Sequence, residues 1–206
     1  MSAPHASYLS GTLFNLGPQV LFEDAEGGVV YRPGVVDPDT CQRWFQSLRE
    51  GIAWKAYQRP MYDRIVDVPR RVASYWLSAQ DLPDALVEAA AWVRHELGVP
   101  FNAVGTNLYR DGADSVAPHN DKLETLVPGH PIALLSLGAT RRMTIRAKLP
   151  PREVRHVDLE PGSLLLMSHA SQRHHDHGIP KTRAPVGARI SLAFRVRPAP
   201  EPAGQD

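Results

Sequence analysis

The spacing of hydrophobic and polar positions changes character near residue 100. Before it, two segments repeat apolar residues every three or four positions. Asp37-Pro38-Asp39-Thr40 supplies a capping signal, and Cys41, Trp44, Phe45 and Leu48 follow at helical spacing. Trp44 and Phe45 therefore read as core residues of an amphipathic helix. A second helix is predicted from Leu82-Pro83-Asp84 to Leu97-Gly98. Its buried stripe is Leu86, Ala89, Ala90, Val93 and Leu97, and Gly98 with Pro100 stops it. Ahead of both, Gly28 to Tyr31 and Val35-Val36 look like short strands broken by Pro33-Gly34.

After Pro100, short β-rich runs alternate with turn residues. They are Phe101–Tyr109, Ile132–Leu137, Met143–Ala147, Val154–Leu159, Ser163–Met167, His174–Ile179 and Ala188–Val196. Regular short strands of this kind predict a sandwich or barrel. The expectation is an α+β chain: a jelly-roll core (a double-stranded β-helix, cupin-like) over about 101–197, with N-terminal helices packed on it. Residues 1–18 show no period and read as a loosely ordered lead-in to one domain over 19–197. The stretch after Val196, RPAPEPAGQD, is rich in Pro and polar residues, and 198–206 reads as a disordered tail.

Composition narrows the functional classes. A chain of 206 residues suits one domain rather than two. The single cysteine, Cys41, excludes an internal disulfide and a zinc-cysteine cluster. A net charge of +1 gives no global field for capturing DNA, so nucleic-acid binding would need local basic patches. There is no apolar run of the ~18 residues that span a bilayer and no secretory signal, so a cytoplasmic monomer without membrane contact is expected.

Pro118-His119-Asn120-Asp121 carries the sharpest chemistry. Residues i and i+2 of a strand share a face, so His119 and Asp121 could bind one metal. A third ligand would come from a distant strand, and His174, His175 and His177 lie close together in sequence. Two imidazoles and a carboxylate make the facial triad of non-heme iron oxygenases, with positions left open for a co-substrate and oxygen. In Arg189-Ile190-Ser191-Leu192-Ala193-Phe194-Arg195, alternation puts Arg189, Ser191, Ala193 and Arg195 on one face. Facing inward, the two arginines require anionic partners, which a dicarboxylate provides. Facing outward, they would only mark an edge strand.

These residues, in this order, resemble the AlkB alkylation-repair dioxygenases. The resemblance extends to Asn107-Leu108-Tyr109-Arg110-Asp111-Gly112, to Ser136-Leu137-Gly138-Ala139 and to Gly162 through Met167, covering about residues 101–197. Arg59-Pro60-Met61-Tyr62 and Val68-Pro69-Arg70 look similar to the family's substrate-lid region. The resemblance implies Fe(II), 2-oxoglutarate and O2 as cofactors. It matches His119, Asp121 and His177 to the iron ligands, with His175 the second choice for the distal histidine. It places Asn107, Tyr109, Arg189, Ser191 and Arg195 at the co-substrate, Arg189 on the distal carboxylate. The implied reaction is oxidative demethylation of N-alkylated bases in DNA or RNA, releasing formaldehyde, succinate and CO2. Oxidation of a protein side chain or small molecule by the same site is the alternative.

Three departures bear on substrate. Leu123 stands where the family usually has an acid that helps recognise the damaged base, with Glu124 next. Ser191 and Ala193 replace the Asn and Thr common between the last two arginines. The stretch Tyr75 to Asp81 looks shortened, where many relatives have an aromatic-rich hairpin. Tyr62, Tyr75 and Trp76 are candidates for stacking on a base, although a tryptophan such as Trp76 is more often a core residue. Arg70-Arg71, Arg141-Arg142, Arg146, Lys148, Lys181 and Arg183 are candidates for phosphate contacts.

Overall fold

A computed structural model of the chain describes residues 17–61 and 64–199. Tyr62, most of the predicted lead-in and residues 200–206 of the predicted tail lie outside them.

The elements that position the site form three layers. A seven-stranded sheet is ordered β1 (Gln19–Phe22), β2 (Val29–Arg32), β11 (Leu164–Met167), β8 (Ile132–Gly138), β13 (Arg189–Arg195), β6 (Ala103–Tyr109), β5 (Arg71–Trp76). Facing it is a four-stranded sheet, β10 (Val154–Leu159), β9 (Arg141–Ala147), β12 (His175–Ile179), β7 (Val116–His119). Helices α1 (Pro38–Gly51) and α2 (Asp84–Leu97) cover the outer face of the larger sheet, and β3 (Gln58–Met61) pairs with β4 (Arg64–Asp67) as a separate hairpin. This is the jelly-roll α+β architecture that the pattern predicts.

Alternation along the strands builds two cores. Val104, Leu108, Leu135, Leu137, Ile190, Leu192 and Phe194 face the helices, meeting Trp44, Leu48, Leu86 and Val93. Leu134, Ile132, Met143, Ile145, Leu165 and Ile179 fill the space between the two sheets. Helix α1 starts as predicted: Thr40 N–H donates to the Asp37 side chain at 2.9 Å, with Pro38 in the first turn. Gly98 ends α2 in the left-handed conformation.

Three expectations are corrected. Val35-Val36 is not a strand; both N–H groups donate to the single carbonyl of Gly162, which ties the turn down without a ladder. His174 does not start a strand. It closes a one-turn helix, α3 (Ser171–His174), and the strand begins at His175. Asp121 lies just past the end of β7 rather than within it, yet keeps the same side as His119. Arg197, the first residue of the Pro-rich stretch, is held in place by hydrogen bonds of its backbone to Asn102.

Candidate active site

The inner face of the larger sheet sets the site by register alone. β13 pairs with β6 so that Arg189 opposes Tyr109, Ser191 opposes Asn107 and Ala193 opposes Gly105. On its other side Arg189 opposes Gly138 and Ser191 opposes Ser136. Alternation thus delivers Asn107, Tyr109, Ser136, Arg189 and Ser191 to one face between the sheets. Gly105 leaves room there for Arg195: a Cβ on it would lie 3.1 Å from Arg195 Nη1.

The smaller sheet brings in the second half. His177 of β12 is the ladder partner of His119 on β7, and their rings stand 4.6 Å apart. Ligand atoms of His119, Asp121 and His177 all lie within 4.8 Å of one another. Two imidazoles and a carboxylate at that separation suit one divalent cation with N and O preference. His119 Nδ1 lies 3.0 Å from the Ala117 carbonyl, so Nδ1 carries the hydrogen and leaves Nε2 as the free donor atom. The approach of β7 to β12 depends on Gly178, where a Cβ would meet Val116 O at 2.8 Å. His175 lies one turn of alternation away and stacks on Phe22, its ring centroid 4.2 Å distant, so it does not join the cluster.

The Asp121 carboxylate accepts a hydrogen bond from Arg195 Nε, and its backbone N–H donates to Gln172 Oε1 at 3.0 Å. Gln172 is itself buried, and Lys148 Nζ donates both to its carbonyl and to Asn120 Oδ1. Lys148 is therefore a brace behind the metal-binding loop rather than a phosphate contact.

Burial, reinforced by nearby His119, pushes the His177 imidazole down to about 4. Burial alone would raise the Asp121 carboxyl, but Arg195, His177 and His119 leave it below the usual carboxylate range. An unfolded histidine titrates near ~6.5, so between the two values the unfolded chain binds a proton that the folded one refuses. Stability then rises with pH across that window and is lost as pH falls through it. The metal-free protein is expected to lose roughly 3 kcal/mol through His177 between pH 7 and pH 4. Urea midpoints measure it: His177→Gln, lacking the titrating ring, should show a flatter profile than wild type, and identical profiles would contradict this burial.

Arg189 is fully buried. Nη2 donates to Ser136 Oγ at 2.8 Å, whereas Nε and Nη1 have no partner, nor has Ser191 Oγ. Burial drives the guanidinium down to about 10. Its carbon lies 5.4 Å from the centre of the buried Tyr109 ring, and Arg141 approaches the same ring at 5.6 Å. Arg141 is not a phosphate contact either. It is buried, and its nitrogens donate to the carbonyls of Asp111, Asp114 and Pro180 at 2.7–2.8 Å. A buried guanidinium with two unpaired nitrogens and an unpaired hydroxyl beside it is a cradle for an anion.

A groove of about 420 Å³ opens onto this site. His119, Asn107 and Arg195 line it, together with Lys55, Tyr57, Arg70, Tyr75 and Arg197. Arg70 Nε donates to Asn107 Oδ1 at 2.8 Å. Among the described residues no carboxylate lines the groove. Tyr75 is half-buried on its wall, whereas Trp76 is 36% exposed and lines a smaller recess beside it, so Trp76 is not core. Leu123 and Glu124 lie in a 3-10 turn (Leu123–Thr125) away from the groove lining. Arg142 and Arg146 are exposed and paired with Asp158 and Asp176. Arg71 lies outside the groove lining, as do Lys181 and Arg183, which are exposed. Sequence reasoning missed Lys55, Tyr57, Ser136, Gln172 and Arg197. Arg197 alone had a signal, since it continues the alternation 189, 191, 193, 195.

The sequence profile of the 2OG-Fe(II) oxygenase superfamily matches residues 28–195. DNA oxidative demethylase ALKBH2 of Homo sapiens is 39% identical over 105 residues, 48% of this chain and 40% of its own length. Alpha-ketoglutarate-dependent dioxygenase alkB homolog 3 of Bos taurus is 31% identical over 191 residues, 84% of this chain and 66% of its own. The chain thus spans less than two thirds of either relative. Two solved structures share the fold. The prolyl hydroxylase from Trichoplax adhaerens, in complex with a hypoxia inducible factor oxygen degradation domain peptide fragment, superposes with a TM-score of 0.60 at 12% identity, covering 82% of this chain and 83% of that one. OsALKBH1 does so with a TM-score of 0.53 at 18% identity, covering 82% and 97%.

Proposed function

Because the chain belongs to the 2OG-Fe(II) oxygenase superfamily and is similar to AlkB homologues within it, we propose that it is an Fe(II)- and 2-oxoglutarate-dependent dioxygenase that demethylates N-alkylated bases of DNA or RNA. The observation that carries the nucleic-acid part is the groove: its charged lining is all basic, with two tyrosines, and it leads to the His119–Asp121–His177 cluster.

The residues fit both cofactors. His119 Nε2, the Asp121 carboxylate and a His177 nitrogen would hold iron. The unpaired nitrogens of Arg189, with Ser191, Tyr109 and Asn107 on the same face, would hold 2-oxoglutarate. Together these groups supply dioxygen-dependent oxidation of a C–H bond, with 2-oxoglutarate converted to succinate and CO2. The chain's own residues orient and enclose. Arg195 fixes the Asp121 carboxylate, Gln172 fixes its backbone, and the two sheets keep bulk water from the Arg189 cradle. Tyr57 and Tyr75 offer apolar faces against which an extruded base can pack. A hydroxylated N-methyl group then collapses by C–N cleavage to formaldehyde and the free amine.

The test is a panel of N-methylated single-stranded DNA and RNA oligonucleotides incubated with iron and 2-oxoglutarate. Formaldehyde and succinate should appear in equal amounts on at least one of them. Succinate without formaldehyde on every oligonucleotide would remove nucleic acid as the substrate and leave a protein or small molecule.

A further inference from the structure

Beside the groove, and sharing Ser74, Tyr75, Gly105, Arg195 and Arg197 with it, lies a recess of about 90 Å³ walled on one side by Trp76. Two arginines meet there and they are not alike. Arg195 is committed: it donates to Asp121 and, through Nη1, to the Ala193 carbonyl at 2.9 Å. Arg197 has no ion pair among the described residues, and its Nε is buried without a partner. Burial and the neighbouring Arg195 charge both weaken its hold on a proton.

The side chain is nevertheless aimed rather than loose. β13 ends at Arg195, but Asn102 extends the ladder by two residues with its own side chain. Asn102 Nδ2 donates to the Arg197 carbonyl and Oδ1 accepts from the Arg197 N–H, both at 2.8 Å. Val127 N–H donates to the Val196 carbonyl at 2.9 Å on the other side. With the backbone pinned on both edges, alternation keeps Arg197 on the groove face with Arg195. A half-buried cation beside a second cation is costly unless an anion completes it.

We propose that Arg197 is a phosphate-binding residue, taking the backbone phosphate of the nucleotide next to the target base, with the exposed Trp76 ring flanking that nucleotide. This rests on the nucleic-acid reading above. It separates two roles that alternation alone would merge: Arg195 serves the metal-binding carboxylate, and Arg197 serves the substrate strand.

Binding of a fluorescein-labelled, N-methylated single-stranded oligonucleotide tests it, measured anaerobically with iron and 2-oxoglutarate over a salt series. A phosphate contact to single strands adds ~0.7 to the slope of log K against log salt. Arg197→Gln should reduce the slope by about that amount and the low-salt affinity roughly tenfold. Arg197→Lys should keep the slope while recovering only part of the affinity, because a point charge replaces a fork. Arg155→Gln, which removes an equal charge from the exposed strand β10, should change neither. A wild-type slope in Arg197→Gln, with or without weaker binding, would overturn the proposal and make Arg197 structural. No oligonucleotide binding by wild type at all would instead overturn the nucleic-acid reading itself.

Discussion

Replacing His119 with alanine is expected to reduce iron-dependent turnover by more than roughly 100-fold, since losing even an outer partner of a metal ligand costs about 10- to 100-fold. The fold should survive. His119 is exposed at the end of β7; its ring hydrogen-bonds to Ala117 two residues away and otherwise meets only the metal-binding cluster, with the His177 ring 4.6 Å from it. Asp121→Ala should lose turnover equally but for two reasons. It removes a ligand and also strips Arg195 of its carboxylate partner, leaving a guanidinium 15% exposed without its ion pair. Asp121→Ala should therefore unfold at lower urea than wild type, while His119→Ala should not. Succinate release at saturating iron and urea midpoints separate the two effects. Turnover comparable to wild type in either variant would sink the assigned metal site.

Arg189→Met carries the second large effect. A charge-assisted fork to a carboxylate contributes ~1.5–3 kcal/mol, and each ~1.4 kcal/mol is tenfold, so half-saturation by 2-oxoglutarate should rise roughly one to two orders of magnitude. The burial of Arg189 adds a sharper expectation. Without an anion, its Nε and Nη1 are desolvated and unpaired, which costs stability. Methionine fills similar space without that penalty. The variant should then be at least as stable as wild type when 2-oxoglutarate is absent, yet gain little from adding it. Thermal unfolding with and without 2-oxoglutarate reads both halves. An unchanged half-saturation would mean that Arg189 serves some other anion. Arg195→Met should also lose activity, since it removes the donor that holds the Asp121 carboxylate.

The core strands were legible because each places a continuous apolar row on at least one buried face, as in Ile132–Gly138 and Arg189–Arg195. The strands that escaped sequence reasoning lack that signature. Arg71–Trp76 is nowhere fully buried; Gln58–Met61 and Arg64–Asp67 are half polar, include Pro60, and pair only with each other among the described residues. Arg71–Trp76 forms against Ala103–Tyr109, a neighbour far along the chain. The metal cluster was legible from residue types, because few arrangements of His and Asp chelate. Its supports were not. Ser136 matters only because Arg189 reaches it from the neighbouring strand, and Lys148 only because Asn120 and Gln172 come within reach. Basic residues misled for the same reason. Arg141 and Lys148 look like surface charge in the sequence, and only the fold shows their hydrogen bonds committed to carbonyls and an amide.

β7 is the outermost strand of the smaller sheet, paired among the described residues along one edge only, to β12, in a register that shifts between His177 and Ile179. It supplies His119, and Asp121 follows it directly. A cation held by His119, Asp121 and His177 therefore does more than prepare chemistry: it rivets a weakly attached border strand to the interior one. Empty, that border is expected to open at a lower free energy than the interior strands. Filled, opening it would mean surrendering two of three ligands. Metal binding and the local rigidity of this edge are thus thermodynamically linked.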